Sequence, residues 1–242
     1  MSLKFYGKTP RNHLLTTELM ELVRKYPDLF MALANIFDKY KKQSEAVNWR
    51  QIERYIRSPR LSLPEIVCNQ AKELMQKVYD ASEDEFIDIR SQFLEEVIDY
   101  FGPFTPKFIS KAKYREPLIM DQDEVVGKTD ARCDVVFYHE DKVTLEMIEC
   151  KANLKTFVTK SLDLLDPKFN RGNKKKIDYL CEVHRYLCEN YAEPFVYIAF
   201  YNKNLEVTQE RENVKRWGKD FLRFLDSVSI YNIVVKRSSI NL

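Results

Sequence analysis

Three charged residues, Glu146, Glu149 and Lys151, interrupt an otherwise largely apolar stretch between Val143 and Lys151, and this stretch limits the folds open to the chain. Successive side chains of a β-strand point to opposite faces, so Glu149 and Lys151 share one face. The apolar neighbours indicate a central strand, where a carboxylate without a partner is costly to bury. The stretch therefore predicts a buried strand whose carboxylate requires a cationic partner.

A second carboxylate, Asp134, stands near the start of the preceding apolar run, Ala131–Tyr138. If the two strands form a hairpin, Asp134 lies beside Glu149, which is near the end of the next strand. Two facing carboxylates repel each other, and a divalent cation between them relieves that repulsion. We therefore expect Mg²⁺ to take one oxygen from each carboxylate, with waters and a substrate phosphate as its other ligands.

Lys151 is expected on the same face, close to the metal ion. There its side chain could orient the attacking water or help to deprotonate it, and could counter charge on the phosphate. The arrangement predicts in-line hydrolysis of a phosphodiester by metal-activated water, without a covalent intermediate.

The N-terminal part of the chain is predicted to be helical. Ser62 with Glu65, and then Ser82 with Glu85, have the spacing of a helix cap. Apolar residues at three-to-four spacing predict earlier helices over Leu14–Lys25, Asp28–Lys41 and Val47–Arg57.

From Ser82 onward the pattern predicts the order α-β-β-β-α-β-α-β. We expect a helix over Phe86–Phe101, which Gly102-Pro103 ends. The later elements are predicted as strands over Glu116–Val126, Ala131–Tyr138 and Val143–Cys150 with turns within Asp121–Glu124 and His139–Lys142, a helix over Lys174–Glu189, a strand over Phe195–Tyr201, a helix over Val207–Leu225 and a strand over Ile230–Lys236.

These elements predict an α/β fold class. Helices would cover a mixed sheet on both faces, and an α-helical N-terminal region would precede them. The expected boundary lies near residue 80, between a helical part (1–80) that helps to bind or recognise DNA and an α/β core (81–242).

The residues Asp134, Glu149, Cys150 and Lys151, in two apolar strands, resemble the motif of the PD-(D/E)xK nuclease superfamily. The resemblance covers about residues 85–201. It implies a restriction-endonuclease-like α/β/α core, a Mg²⁺ cofactor that Mn²⁺ can replace, and DNA as the partner. It also implies that the backbone carbonyl of Cys150 joins Asp134 and Glu149 as a metal ligand.

A glutamate on the helix before the strands often completes the metal site in that superfamily. Glu95 and Glu96 both fall on the predicted helix, and Glu95 fits the apolar pattern slightly better. The resemblance therefore implies a catalytic and metal-binding role for Glu95. The other interpretation is a glutamate on a solvated helix face.

Two cationic runs flank the predicted site. A helix start that follows a sheet suits phosphate contacts, although a run of charges can equally form a solvated face. The formal net charge of +2 excludes a purely electrostatic nucleic-acid binder. The residues expected to contact nucleic acid are Arg171, Lys174, Lys175 and Lys176 of one run and Lys113 and Arg115 of the other, which also contains Lys107 and Lys111.

The cysteines favour a reducing compartment. Their odd number, five, and their wide spacing fit free thiols better than a disulfide framework. The polar start and the lack of a spanning segment predict a cytoplasmic protein without a membrane partner. Cys181, His184 and Cys188 lie on one helix face and could supply zinc ligands, but no fourth ligand is evident and packed thiols are the simpler interpretation.

The motif favours a metal-dependent DNA endonuclease of restriction or host-defence type. Many restriction enzymes act as dimers, so the resemblance also implies a homodimer. Two other hypotheses remain open: a repair or recombination nuclease that recognises DNA structure, and a non-catalytic nucleic-acid-binding protein with this fold. Intact Asp134, Glu149 and Lys151 argue against the non-catalytic hypothesis.

Overall fold

The computed structural model describes residues 3–9, 12–43, 48–108, 110–139 and 142–239. Its strands are β1 (Lys4–Tyr6), β2 (Ala112–Arg115), β3 (Leu118–Asp121), β4 (Glu124–Val125), β5 (Val135–His139), β6 (Thr144–Lys151), β7 (Phe195–Phe200) and β8 (Leu222–Leu225). Its α-helices are α1 (Leu14–Lys25), α2 (Leu29–Lys39), α3 (Trp49–Ile56), α4 (Glu65–Asp80), α5 (Glu83–Phe101), α6 (Leu154–Phe157), α7 (Arg171–Asn190), α8 (Thr208–Arg216) and α9 (Ser227–Ser238).

A mixed five-stranded sheet, in the order β2-β5-β6-β7-β8, forms the centre of the fold. Strands β2, β5 and β6 are antiparallel neighbours, whereas β6, β7 and β8 run parallel. A smaller sheet pairs β1, β3 and β4. The α/β class and the mixed sheet predicted from the sequence are therefore confirmed.

An apolar core lies on each face of the main sheet, because alternate residues of the buried strands point to opposite sides. Helices α1 to α5 and α9 cover the face that carries Ile148 and Cys150. Helices α6 and α7, with the end of α8, cover the face that carries Leu145 and Met147. Helices from residues 1–80 thus share one core with α5 and the sheet, and the boundary near residue 80 stays a prediction.

Several predicted helix ends match the structure. Helix α1 has the predicted bounds, and the side chains and backbones of Ser82 and Glu85 form a reciprocal capping box at the start of α5. The predicted cap at Ser62 is wrong, because this residue adopts a left-handed conformation and Pro64 precedes the first turn of α4. The predicted third helix began at Val47, which lies outside the described residues, as does the middle of the predicted turn at 139–142.

Of the two predicted elements at the C-terminal end, the helix over Val207–Leu225 is confirmed only as far as Arg216, and the strand over Ile230–Lys236 is wrong. Gly218 has a positive φ of 67°, which suits a helix stop, and α8 already ends at Arg216. The predicted end of that helix is instead strand β8, paired with β7. Asp226 then caps α9 by accepting a hydrogen bond from the Ser229 amide, so the β-branched run predicted as a strand is helical.

The first predicted strand, Glu116–Val126, is two short strands. Gln122 and Asp123 both have positive φ and connect β3 to β4 in a tight turn, within the predicted turn region. Strand β3 pairs with β1 rather than with the main sheet, one edge of which is β2.

No helix in the described part of the chain is long and apolar enough to cross a membrane.

Candidate active site

Asp134 and Glu149 lie side by side at the end of the β5–β6 hairpin. Val135 is the register partner of Ile148, so the residues just beyond this pair, Asp134 and Glu149, are adjacent. The backbone N–H of Cys150 donates a hydrogen bond of 2.6 Å to Asp134 Oδ2. The hairpin predicted from the sequence therefore brings the two carboxylates together.

Glu149 is completely buried and is held by two ammonium groups. Lys151 Nζ lies 2.5 Å from Glu149 Oε1, and Lys176 Nζ lies 2.9 Å from Oε2. Among the described residues, no group donates a well-directed hydrogen bond to either oxygen. The carboxylate is thus stabilised by charge rather than by a fixed set of hydrogen bonds.

Glu146, on the same strand, shows what a structural buried glutamate looks like. It is also completely buried, but its carboxylate accepts backbone hydrogen bonds of 2.5 Å from Phe104 and 2.7 Å from Thr105. It points to the opposite face from Glu149, because the two lie three positions apart. Glu146 joins a loop to the sheet, whereas both oxygens of Glu149 face lysine ammonium groups instead of backbone amides.

Burial opposes ionisation of Glu149, whereas the neighbouring carboxylates favour the charged form of Lys151. Burial and the neighbouring charge of Asp134 raise the pKa of Glu149, while Lys151 and Lys176 oppose that rise. Burial lowers the pKa of Lys151, but Glu149 and Asp134 outweigh it and raise that pKa above its usual value. Lys151 is therefore an ammonium group at neutral pH, suited to orienting water and countering negative charge rather than removing a proton.

The donor atoms fit a hard divalent cation. Asp134 and Glu149 supply carboxylate oxygens, and the Cys150 carbonyl lies on the side of β6 that faces Asp134, as its N–H does. Mg²⁺ typically takes one or two carboxylates and keeps waters and substrate phosphates as its other ligands. No cluster of three or more His, Cys, Asp and Glu side chains with metal-binding geometry occurs among the described residues. A magnesium site here would depend on the two carboxylates and the carbonyl.

Glu95 lies within electrostatic range of this site but is paired elsewhere. Arg115 contacts Glu95 Oε2 at 2.7 Å through one nitrogen and Glu96 Oε1 at 2.8 Å through another. Burial, followed by the charge of Asp134, raises the pKa of Glu95 to about 7. Helix α5 packs on the sheet face opposite to Glu149, so Glu95 would reach a metal ion only around the sheet end.

The raised pKa of Glu95 predicts a pH-dependent stability. A carboxyl group with a raised pKa in the folded state contributes stability that is lost as pH rises from its usual 4.5 through about 7. The free energy of unfolding of the wild type, relative to Glu95→Gln, should therefore fall across that interval. Urea unfolding at a series of pH values measures this difference.

Glu116 provides the matched control, because it lines the same groove as Glu95. A hydrogen bond from Lys8 lowers the pKa of Glu116 below 4.5, so Glu116→Gln should cause no comparable change across the interval. If the free energy of unfolding changes with pH in the same way in the wild type and in Glu95→Gln, the prediction is wrong.

The residues predicted to contact nucleic acid occupy different environments. Lys113 pairs with Asp99 at 2.8 Å, and Lys175 pairs with Asp130 at 2.5 Å; both lysines are about half exposed. Arg171 and Lys174 lie in the first turn of α7. Arg115 is nearly buried and holds two glutamates, as described above. Their contacts with nucleic acid stay a prediction.

The predicted zinc alternative has little support in the geometry. Cys188 Sγ lies 3.8 Å from the ring nitrogens of His184, and the His184 ring stacks on Phe221 with centroids 4.0 Å apart. Cys181 is half-buried and contacts the core on this face of α7. Of these two thiols, Cys181 packs against the core as the simpler interpretation predicts, whereas Cys188 is exposed.

Two residues near the site have contacts that the sequence pattern did not predict. Lys176 was expected on the phosphate-binding surface but contacts Glu149 directly. Arg90 is buried on α5 and donates hydrogen bonds of 3.1 Å to the carbonyls of Phe37 and Ala152, the residue after Lys151. The only sequence signal for Arg90 was a charge at an apolar position of the α5 pattern, between Phe86 and Phe93.

Comparisons with known proteins add little to this geometry. No protein-family model and no curated protein matches the sequence. The crystal structure of protein VC1899 from Vibrio cholerae aligns with 99% of this chain, at 11% identity and a TM-score of 0.40. This chain spans 58% of the length of that protein. A likeness at this level supports no conclusion about function, so the functional interpretation depends on the site itself.

Proposed function

We propose that this protein is a metal-dependent nuclease that hydrolyses phosphodiester bonds in DNA. The observation that supports the proposal is the completely buried Glu149, which is adjacent to Asp134 at the end of a hairpin and contacts Lys151 through Oε1. A fold keeps such a costly group where a cation or a reaction requires it.

Each residue has a role that follows from its position. Asp134 and Glu149, with the Cys150 carbonyl, would hold Mg²⁺ or Mn²⁺. Such an ion, when bound, lowers the pKa of water and counters charge on a phosphate. Lys151 is fixed on the same strand, two residues from Glu149, and its ammonium group would orient the attacking water.

Restriction or host defence is the activity we favour, and a repair or recombination nuclease is the alternative. The resemblance in the sequence supports the first, and a homodimer would suit it. A cleavage assay separates the two: purified protein is incubated with plasmid, branched DNA and single-stranded RNA, in Mg²⁺ or Mn²⁺ and in EDTA. Discrete plasmid fragments would support restriction, and cutting confined to branches would support repair.

The same assay tests the proposal as a whole. Cleavage that requires a divalent ion is expected, and cleavage of RNA alone would replace DNA as the substrate. If no nucleic acid is cut with any divalent ion by a folded sample, the catalytic proposal is wrong.

One observation favours a second candidate, a non-catalytic nucleic-acid-binding protein. Lys176 Nζ lies 2.9 Å from Glu149 and 3.5 Å from Asp134, so a protein group already neutralises both carboxylates. If that pairing were permanent, the site would bind no metal ion. Retained DNA binding without metal binding or cleavage is the expected result for this candidate.

A further inference from the structure

The ammonium group of Lys176 lies between the two carboxylates of the proposed metal site. Its Nζ is 2.9 Å from Glu149 Oε2 and 3.5 Å from Asp134 Oδ1, and it also donates a hydrogen bond to the Arg132 carbonyl. These ligands are oxygen atoms, two of them anionic, which are the groups that a divalent cation would bind. Lys176 therefore occupies the position of such a cation.

The contacts distinguish Lys176 from its neighbour on the same helix. Lys175 points away from the site and pairs with Asp130 on the surface, where both side chains are more than half exposed. Lys176 has 21% of its side chain exposed. It is enclosed enough to interact strongly with the carboxylates, yet part of its side chain remains in contact with solvent.

The charges of the cluster show why a divalent ion and the Lys176 ammonium group cannot easily occupy the site together. Asp134 and Glu149 carry two negative charges, and Lys151 and Lys176 already balance them. A divalent ion added to this neutral cluster would leave two uncompensated positive charges in a largely buried space. If Lys176 moves out, the divalent ion takes the place of its ammonium group, and only one positive charge stays uncompensated. This costs far less free energy than keeping both cations in the site.

We propose that Lys176 is a displaceable counter-ion that competes with the divalent metal for Asp134 and Glu149. This inference rests on the proposed function, because it concerns the same metal site. A lysine suits the task, since its flexible four-carbon stem lets the ammonium group move while α7 keeps it tethered nearby. In the displaced position, the charge of Lys176 is available to a phosphate of the substrate.

The experiment compares Mn²⁺ binding by isothermal titration calorimetry in the wild type and in Lys176→Met. Methionine keeps the length and apolar volume of the side chain but removes the competing charge. We expect Lys176→Met to bind Mn²⁺ about tenfold more tightly, because the ion no longer displaces an ion-paired ammonium group. Lys176→Gln is the second variant, in case the methionine variant does not fold.

Lys175→Met is the matched control, because it removes the same charge one position away on α7. Its affinity for Mn²⁺ should equal that of the wild type. Thermal unfolding in EDTA and in Mn²⁺ gives an independent measurement: Mn²⁺ should raise the Tm of Lys176→Met more than that of the wild type.

The outcomes separate this inference from the proposed function. If the wild type binds Mn²⁺ and folded Lys176 variants bind it equally or more weakly, Lys176 is not a competitor, although the nuclease proposal stands. Equal tightening in Lys175→Met would show a general charge effect and would also overturn the inference. If neither the wild type nor any folded variant binds Mn²⁺, the proposed metal site itself is wrong.

Discussion

Replacing Lys151 with methionine should reduce DNA cleavage by at least about a hundredfold, while DNA binding persists. Lys151 Nζ contacts the buried Glu149 at 2.5 Å, and the surrounding carboxylates keep it charged. Loss of one preorganised group that stabilises developing charge typically costs about 10²–10³ in rate. Single-turnover cleavage of a labelled duplex in Mg²⁺ measures the loss, and fluorescence anisotropy in Ca²⁺ measures binding without cleavage.

The matched control for this prediction is Lys155→Met. Lys155 lies only four positions further along, on α6, and is exposed to solvent. Its replacement removes the same charge from the same region, so it should leave the cleavage rate within about a factor of three, as expected for a surface substitution. If the Lys151→Met variant cuts DNA at the wild-type rate, Lys151 takes no part in the mechanism.

Replacing Phe37 with alanine should lower the free energy of unfolding by about 3–5 kcal/mol. Phe37 is completely buried on α2, and its ring centroid lies 5.9 Å from that of Phe93 on α5 and 5.4 Å from that of Tyr201, just beyond β7. Truncation would leave a cavity where a helix from the N-terminal part meets the sheet core. Urea unfolding, followed by far-UV circular dichroism, measures the change.

Ile66→Ala is the control, because Ile66 on α4 is 67% exposed. Its replacement should change the free energy of unfolding by less than about 0.5 kcal/mol. The shared core also predicts one cooperative transition for the wild type. Two separate transitions, with only the first shifted in Phe37→Ala, would show that residues 1–80 unfold independently.

The local elements of this fold were largely predictable. The apolar spacing of α1 and the capping pattern of Ser82 and Glu85 depend on residues within a few positions of one another. The C-terminal elements were not, because Ile230 and its β-branched neighbours suit a strand as well as a buried helix face. The cap at Asp226 and the packing of α9 against the sheet core decided in favour of the helix.

Part of the candidate site was likewise predictable from the sequence, and part depends on the tertiary structure. Glu149 and Lys151 share a face because side chains two positions apart on a strand point the same way. This is a local property that the sequence alone shows. The position of Asp134 beside Glu149 depends on the register of the hairpin, which the pairing of β5 and β6 gives. The pairing of Arg115 with Glu95 depends on contacts between α5 and β2, elements whose relative position no local pattern specifies.

The sequence by itself determined that a buried strand carries Glu149 and Lys151 on one face, with Asp134 one strand earlier. Only the tertiary structure decided which other charges reach that face. Helix α7 packs on the side of the sheet to which Glu149 points and brings Lys176 within 2.9 Å of its carboxylate. Strand alternation is a local property of the backbone, whereas this ion pair joins residues 27 positions apart, and the packing of a whole helix sets its geometry.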